Sequence, residues 1–243
     1  ESLGPQLSEE AAALLVEYRT HVLLKKAEDE SKPDMQAYRV LNHKGRYCGE
    51  KRIHGEIPGV PIGTVLQERG EAAILGIHCQ ILSGIDGLKD KACYAICASG
   101  GYVDDEENRK DGCIVYTGEG GKKGKKQVKD QVKNTSNRSL ILAYHEKSPI
   151  RVLTGKHKSY TYEGLFQCIR YEHVPSSDGP LIFRFTLKPI EGKSWVHPNR
   201  VVAGGAAAEA KTKKYHKQHK KRTTSPGGPS ESQGTHSRLN KKL

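Results

Sequence analysis

The sequence lacks any long apolar run, and no stretch approaches the roughly 18 residues that a membrane-spanning helix requires. Its start does not resemble a signal peptide either. We therefore expect a soluble protein with no membrane partner. The first residue is Glu1 instead of Met, which favours a piece of a longer protein.

The cysteine pattern of metal sites is also missing. Six cysteines are scattered between Cys48 and Cys168, with no CxxC pair and no Cys/His array at zinc-ligand spacing. We expect free thiols in a reducing compartment and no bound metal. The combined HxE and PCxxC signature of zinc-dependent deaminases is likewise incomplete, because no PCxxC occurs.

Acidic residues are outnumbered, with 28 Asp and Glu against 40 Lys and Arg, for a formal net charge of +12. Such an excess indicates a polyanionic partner, and nucleic acid is the first candidate. The charge by itself predicts neither fold nor specificity.

The N-terminal segment predicts one helix, from Ser8 to Ala27. Ser8 suits the N-cap position and two glutamates follow it, at the positive end of the helix dipole. Apolar residues recur at helical spacing, and this stripe is expected to pack on the core, with a partner surface as the alternative: Ala11, Leu14, Leu15, Tyr18 and Val22. Pro33 forbids continuation of the helix.

Short β-like runs punctuated by glycine follow from residue 52 onward: "AAILGI", "ACYAICAS", "IRVLTG", "YTYEGLFQCIRYEHV" and "LIFRFTLKPI". Closely spaced strands without long intervening helices favour an antiparallel barrel or sandwich. The predicted fold class is α+β, mainly β. We expect an N-terminal helical segment at 1–51, a domain at 52–195, and a linker with a disordered basic tail at 196–243, where ten Lys and Arg face two acids after residue 205.

A loop at residues 100–121, "GGYVDDEENRKDGCIVYTGEGG", combines tyrosines, acids and glycines in this basic chain. Tyr102 and Tyr116 could sandwich a flat group, and a carboxylate between them would accept a hydrogen bond from the exocyclic amine of cytosine. Flipping a base from the duplex would be required. Taken alone, the pattern is more typical of strand-end core tyrosines and a solvated acidic turn than of a base pocket.

Six motifs, in this order and at these spacings, resemble the SRA domain, also called the YDG domain: "GEIPGVPIGT", "GIHCQILSGIDG", "ASGGYVDD", "YTGEGG", "RVLTGKHK" and "YTYEGLFQCIRY". The resemblance covers about residues 52–195 and is nearest to the plant suppressor-of-variegation histone lysine methyltransferases. It implies a twisted, crescent-shaped β-barrel with flanking helices that reads 5-methylcytosine by base flipping.

The resemblance also implies site residues. Tyr102 and Tyr116 match the stacking tyrosines, Asp105 matches the carboxylate on the cytosine edge, and Thr117 and Gly118 match the wall around the methyl group. Gly118, Gly120 and Gly121 would allow the backbone to approach the ligand.

Two further loops are implied to contact DNA. Leu82 and Ser83 fall in a thumb loop, where Leu82 would fill the vacated base stack; a core position is the alternative for Leu82. A short finger, "KKGKKQVK" at residues 122–129, follows the pocket loop and is implied to contact DNA through Lys122, Lys123, Lys125, Lys126 and Gln127. A solvated loop is the alternative for its five lysines.

Three departures qualify the resemblance. Tyr162-Glu163-Gly164 replaces the name-giving Tyr-Asp-Gly, and we expect Glu163 to support the structure without touching the base. The finger has no arginine for guanine recognition, so a preference for hemimethylated CG is not implied. No cysteine follows Trp195, which leaves no pre-SET, SET or RING module in this chain.

We therefore expect a non-enzymatic nuclear reader of DNA methylation. Its partners would be double-stranded DNA containing 5-methylcytosine and chromatin proteins, with no cofactor and no small-molecule substrate. The alternatives are a basic nucleic-acid-binding protein without methyl selectivity, and the reader part of a larger histone lysine methyltransferase.

Overall fold

A computed structural model describes the chain at residues 6–47, 52–100, 106–108, 112–124, 126–156 and 159–194, without the side chains of 106–108 and 156. The helices within these ranges are α1 (Glu9–Ala27), α2 (Pro33–His43), α3 (Arg69–Ile74) and α4 (Thr135–Glu146). The strands are β1 (Val65–Leu66), β2 (Ile85–Asp86), β3 (Ala95–Ala98), β4 (Glu106–Asn108), β5 (Cys113–Thr117), β6 (Lys122–Lys123), β7 (Lys126–Gln127), β8 (Pro149–Lys156), β9 (Ser159–Pro175) and β10 (Leu181–Ser194). None of the described helices is long and apolar enough to span a membrane.

Helix α1 confirms the prediction made for it. The Ser8 hydroxyl caps the helix by accepting a hydrogen bond from the backbone N–H of Ala11 at 3.2 Å. The five apolar residues of the predicted stripe are its buried residues, and they pack into the core. The alternative of a free partner surface on this stripe is therefore wrong.

Helix α2 was not predicted, although Pro33 marks its start. Proline is well suited to the first turn of a helix because its missing N–H would have no partner there. The turn before it places Lys32 in the left-handed region at φ 55°. The hydroxyl of Tyr18 in α1 donates to the carbonyl of Asp34 at 3.2 Å and ties the two helices together.

The prediction of a strand at "AAILGI" is wrong, because residues 69–74 form helix α3. A short apolar run with no polar alternation is compatible with a buried helix or a buried strand, and periodicity cannot separate the two. Helix α3 is held by Glu71, whose buried carboxylate accepts hydrogen bonds from Nε of Arg19 and the backbone N–H of Gln67, each at 2.7 Å.

The other four predicted strand runs are confirmed as β3, β8, β9 and β10. They belong to one sheet with the order β2-β3-β8-β9-β10-β5-β4, and β1 pairs with β9. Two expectations need correction: β3 and β8 pair in parallel, and the described sheet is an open path and not a closed barrel. A parallel pair needs a long crossover connection, and the connection from β3 to β8 contains helix α4, which was not predicted.

The core has two parts. The first, here called the helix layer, gathers the buried faces of α1, α2 and α3 with Leu66, Leu153 and Tyr162. The second lies between the sheet and α4 and includes Tyr116, Leu140, Phe166 and Phe185. The described cysteines are free thiols, four of them buried.

The Tyr162-Glu163-Gly164 motif has a structural role, as expected. The pairing of β8 with β9 skips Glu163, which forms a bulge. Its side chain is buried and accepts a hydrogen bond from the Thr154 hydroxyl. Gly164 adopts φ +94°, and an added Cβ would lie 2.4 Å from the Lys193 carbonyl oxygen, so this position requires glycine.

Candidate functional site

Residues 78–84, which connect α3 to β2, form the loop that we call the thumb loop. Its backbone is anchored from within by Arg69 at the start of α3. The Nη2 atom of Arg69 lies 2.6 Å from the carbonyl oxygen of Gln80 and 2.8 Å from that of Ser83. One guanidinium therefore holds two points of the loop at a fixed distance from the helix.

The base of the thumb loop also contains a neutral histidine. His78 is fully buried, with Nδ1 at 3.1 Å from Nη2 of Arg69 and Nε2 at 3.2 Å from the Gly84 carbonyl oxygen. Because Arg69 has only donors, Nδ1 must accept, which assigns the proton to Nε2. Burial, and then the charge of Arg69, lower the pKa of His78 to about 4.

Leu82 extends from the thumb loop into solvent and is 81% exposed. The alternative of a core position for Leu82 is therefore wrong. Its neighbour Ser83 is half-buried and accepts a hydrogen bond from the Ile85 N–H at 3.0 Å. The loop thus presents an apolar side chain on a backbone that is tied down on both sides.

Residues 118–121, which follow β5, form what we call the wall loop. The tyrosine before it, Tyr116, is 6% exposed and packs in the core between the sheet and α4. A Cβ added to Gly84 would lie 2.5 Å from the Tyr116 hydroxyl oxygen, so the end of β5 and the thumb loop are in close contact. Thr117 is fully buried beside it.

Gly118 makes room for the protein's own side chains. An added Cβ would lie 2.5 Å from Oδ1 of Asn137 and 2.8 Å from Oε1 of Gln131. The sequence suggested that glycine is needed here so that a ligand can approach the backbone. The structure gives a different reason, since the space is taken by the side chains of Asn137 and Gln131. At Gly121, where φ is +67°, a Cβ would lie 2.2 Å from the Lys129 carbonyl oxygen.

Three side-chain amides determine the path of the wall loop. Gln131 donates to the Gly118 carbonyl at 2.7 Å and accepts from the Phe183 N–H at 2.9 Å, which extends the β5–β10 pairing. Asn137 accepts from the Glu119 N–H and donates to the Glu119 carbonyl, both at 2.9 Å. Gln127 donates to the Gly120 carbonyl at 2.9 Å.

The side chain of Glu119 joins the two loops. Its Oε2 accepts a hydrogen bond from the Ser83 hydroxyl at 3.0 Å, and its Oε1 accepts from the Asn134 amide at 3.3 Å. Asn134 is also the N-cap of α4, where its Oδ1 accepts from the Asn137 N–H at 2.8 Å. The thumb loop, the wall loop and the start of α4 are therefore one connected polar network.

The hairpin of β6 and β7, residues 122–127, is what we call the finger hairpin. Lys122, Lys123 and Lys126 are exposed, whereas Lys125 lies outside the described residues. Gln127 differs from the expected surface contact because its side chain is 5% exposed and its amide bonds to backbone within the protein. Its backbone N–H donates to Asp178 at 2.9 Å.

The structure thus brings together five of the predicted site residues: Leu82, Ser83, Tyr116, Thr117 and Gly118. Tyr102 and Asp105 lie outside the described residues, as do Asp104 and the tail at 206–243. In the described part of the chain, no group of three or more His, Cys, Asp or Glu side chains is arranged to hold a metal ion.

Sequence reasoning missed the residues that hold the loops: Arg69, Glu119, Asn134, Gln131 and Asn137. Only one signal was readable in advance. "NTSN" before the apolar run "LILAY" is a helix-start pattern that would have indicated α4 and its N-cap. The partners of Glu119 and Gln131 lie 13 to 52 residues away, beyond any local pattern.

The chain is similar to known proteins in sequence and in fold. Residues 53–193 match the family of SAD/SRA domains. The histone-lysine N-methyltransferase SUVH6 of Arabidopsis thaliana, specific for histone H3 lysine 9, is 36% identical over 205 residues, which span 70% of this chain and 26% of SUVH6. The chain therefore spans about a quarter of this relative.

Two solved structures resemble the fold. The SUVH5 SRA domain in complex with fully methylated CG DNA aligns with a TM-score of 0.54 at 38% identity, covering 60% of this chain and 99% of that one. KRYPTONITE in complex with mCHG DNA and SAH aligns with a TM-score of 0.74 at 25% identity, covering 80% of this chain and 46% of that one.

Proposed function

The chain belongs to the SAD/SRA domain family, and from this premise we propose that it binds double-stranded DNA containing 5-methylcytosine and flips the methylated base into a pocket. The pocket consists of Tyr102, Asp105, Tyr116, Thr117 and Gly118. The two rings stack on the base and Asp105 accepts from its exocyclic amine. Thr117 and Gly118 surround the methyl group.

The observation that supports this proposal best is the exposure of Leu82. Among the large apolar side chains of the described residues, Leu82 is the most exposed, at 81%, and it lies on a loop that Arg69 holds at two points. Inserted into a duplex, it fills the stack that the flipped base leaves and offsets part of the unstacking cost, a few kcal/mol. The loop lies beside Tyr116 and Glu119, next to the pocket that would receive the extruded base.

The exposed lysines of the finger hairpin supply the phosphate contacts. Lys122, Lys123 and Lys126, together with Lys125, add a term that depends on salt and carries no sequence information. We assign Gln127 to the support of the hairpin, since its amide is already used within the protein.

We further propose that this domain is a reader and not an enzyme. The similarity to SUVH6 spans 26% of that protein, which leaves room for its methyltransferase activity elsewhere in its sequence. A reader of DNA methylation acts in the nucleus, where chromatin proteins are its natural partners. Membership of a larger histone lysine methyltransferase stays open as an alternative.

A second candidate function is supported by the net charge of +12. Phosphate attraction alone would bind any polyanion, and its affinity would fall steeply as salt rises. A pocket that reads a base would keep its preference for the methylated duplex at high salt, because stacking and buried hydrogen bonds do not release counterions. The two candidates therefore differ in a measurable way.

The test is a titration of fluorescent duplexes that are unmethylated, hemimethylated or fully methylated in CG, CHG and CHH contexts, at two salt concentrations. We expect tighter binding of a methylated duplex at both salts, and loss of the preference in Asp105→Ala, which removes the acceptor at a cost of about 1 to 3 kcal/mol for one base contact. Asp90→Asn is the charge-matched control, since Asp90 is an exposed acid that pairs with Arg138.

Equal affinity of the wild-type chain for methylated and unmethylated duplexes in every context would exclude the reader function and leave the phosphate-binding candidate. A methyl preference that persists unchanged in Asp105→Ala would remove Asp105 from the pocket but retain the function.

A further inference from the structure

We propose that Glu119 is a positioning residue that locks the thumb loop to the wall loop, so that insertion of Leu82 and capture of the flipped base occur at one fixed spacing. This inference rests on the proposed function and extends it, since it assigns a role in methyl selectivity to a side chain that does not touch the base. It starts from the two hydrogen bonds that the Glu119 carboxylate accepts.

The first of these bonds reaches the thumb loop. The Ser83 hydroxyl has one proton and lies 3.0 Å from both Oε2 of Glu119 and the carbonyl oxygen of Ile85. A carboxylate is the stronger acceptor, so the proton belongs to Glu119, while the oxygen of Ser83 accepts from the Ile85 N–H. Ser83 is adjacent to Leu82, so the bond acts directly on the residue that enters the duplex.

The second bond reaches helix α4. Oε1 of Glu119 accepts from the Asn134 amide, and the backbone of Glu119 is held from both sides by Asn137. Because α4 packs against the sheet through buried residues such as Leu140, the carboxylate is supported by a rigid element. A bond between two mobile loops would not fix the position of either loop. The bond from Glu119 instead holds the thumb loop in place relative to the core, because α4 is part of that core.

The spacing matters because the flipped complex needs Leu82 in the stack and the base in the pocket at the same time. The base leaves the stack at the position that Leu82 fills. It enters the pocket beside Thr117 and Gly118, the two residues that precede Glu119. If the thumb loop moved freely relative to the wall loop, ordering the two loops on binding DNA would cost part of the binding free energy. A preorganised pair avoids that cost, and the gain applies only to the flipped complex.

The test compares Glu119→Ala with Glu119→Gln in the full chain. Both variants remove the same charge, so their nonspecific attraction to phosphates changes equally. Only glutamine keeps an acceptor and a donor that can bridge Ser83 and Asn134. We expect Glu119→Ala to lose about tenfold in affinity for the methylated duplex, as for a hydrogen bond to a charged group, and glutamine to retain most of it. Affinity for the unmethylated duplex should be the same in the two variants.

Two further measurements separate coupling from a defect in folding. Ser83→Ala should also weaken methylated-duplex binding, and the loss in the double variant Ser83→Ala/Glu119→Ala should be smaller than the sum of the two single losses, since both single variants break the Ser83–Glu119 bond. The fluorescence of 2-aminopurine placed beside the methylated base should report less unstacking in Glu119→Ala at saturating protein.

The outcomes distinguish failure of the positioning role of Glu119 from failure of the proposed reader function. If the wild-type chain prefers methylated DNA and Glu119→Ala keeps that preference, or if alanine and glutamine behave alike, the positioning role is wrong and the reader function stands. If the wild-type chain shows no methyl preference, the proposed function fails and this inference fails with it. Additive losses in the double variant would also overturn the coupling.

Discussion

The helix layer and the pair of thumb and wall loops are held together by different forces. In the helix layer, apolar side chains of α1, α2 and α3 are buried together and one carboxylate, Glu71, pairs with Arg19. In the loops, glycines and amide side chains replace apolar contacts, and most of the described bonds involve a backbone group. Apolar burial has no preferred direction, whereas hydrogen bonds have preferred distances and angles. The bonds of the loops therefore fix the positions of their residues, and the helix layer contributes mainly to the free energy of unfolding.

The largest effect is expected where burial dominates. Leu14→Ala in α1 removes a side chain that is 3% exposed, and the lost burial and the cavity should lower the free energy of unfolding by about 3 to 4 kcal/mol. Denaturant unfolding measures the change. Leu23→Ala on the same helix is the control, because Leu23 is 65% exposed and should shift stability by less than about 0.5 kcal/mol.

Equal effects of the two leucine variants would show that burial does not hold the helix layer. Well below the unfolding midpoint, Leu14→Ala should retain its affinity for methylated DNA, since the damage lies away from the loops.

The next effect depends on pH and acts at the base of the thumb loop. The folded state lowers the pKa of His78 from 6.5 to about 4, so between these values the unfolded chain binds more protons. The contribution to stability is complete above about pH 6.5 and is lost as the pH falls toward 4. Its full size is on the order of 3 kcal/mol.

The variant His78→Gln isolates this contribution, because glutamine can accept from Arg69 and donate to Gly84 but does not titrate. The difference in unfolding free energy between the wild type and this variant should change in favour of the wild type as the pH rises from 4 to 7. A difference that is constant over this range would contradict the neutral assignment of His78.

A smaller effect on stability is expected in the wall loop, together with a loss of affinity for methylated DNA. Asn137→Ala removes the amide that holds Glu119 from both sides and should cost about 2 kcal/mol in unfolding free energy. Thr135→Ala, at an exposed position of the same helix, is the control. If Asn137→Ala leaves the affinity for methylated DNA unchanged, the wall loop does not need its amide support.

The smallest change in the free protein should come from Leu82→Ala. Its side chain is 81% exposed, so stability should shift by less than about 0.5 kcal/mol. Affinity for a methylated duplex should nevertheless fall by about 1 kcal/mol, roughly fivefold, because the apolar filler of the stack is shortened. Val65→Ala, at another exposed apolar position, should change neither quantity.

Local patterns predicted much of the secondary structure. Helix α1 could be read with its cap and its five buried residues because each signal lies within a few positions of the next. The strands β3, β8, β9 and β10 were likewise readable from apolar runs between glycines. Helix α3 was misread as a strand because six residues are too few for a period to appear.

The elements with a local cause could be predicted from the linear sequence, and so could the family, because the order and spacing of its six motifs are visible there. The packing of the whole chain was needed to explain why Gly118 is a glycine, that β3 and β8 run in parallel, and that Glu119 joins the thumb loop to α4. These features depend on contacts between residues that are far apart along the chain. Such contacts follow from the packing of the whole sheet and its helices, which no window of sequence contains.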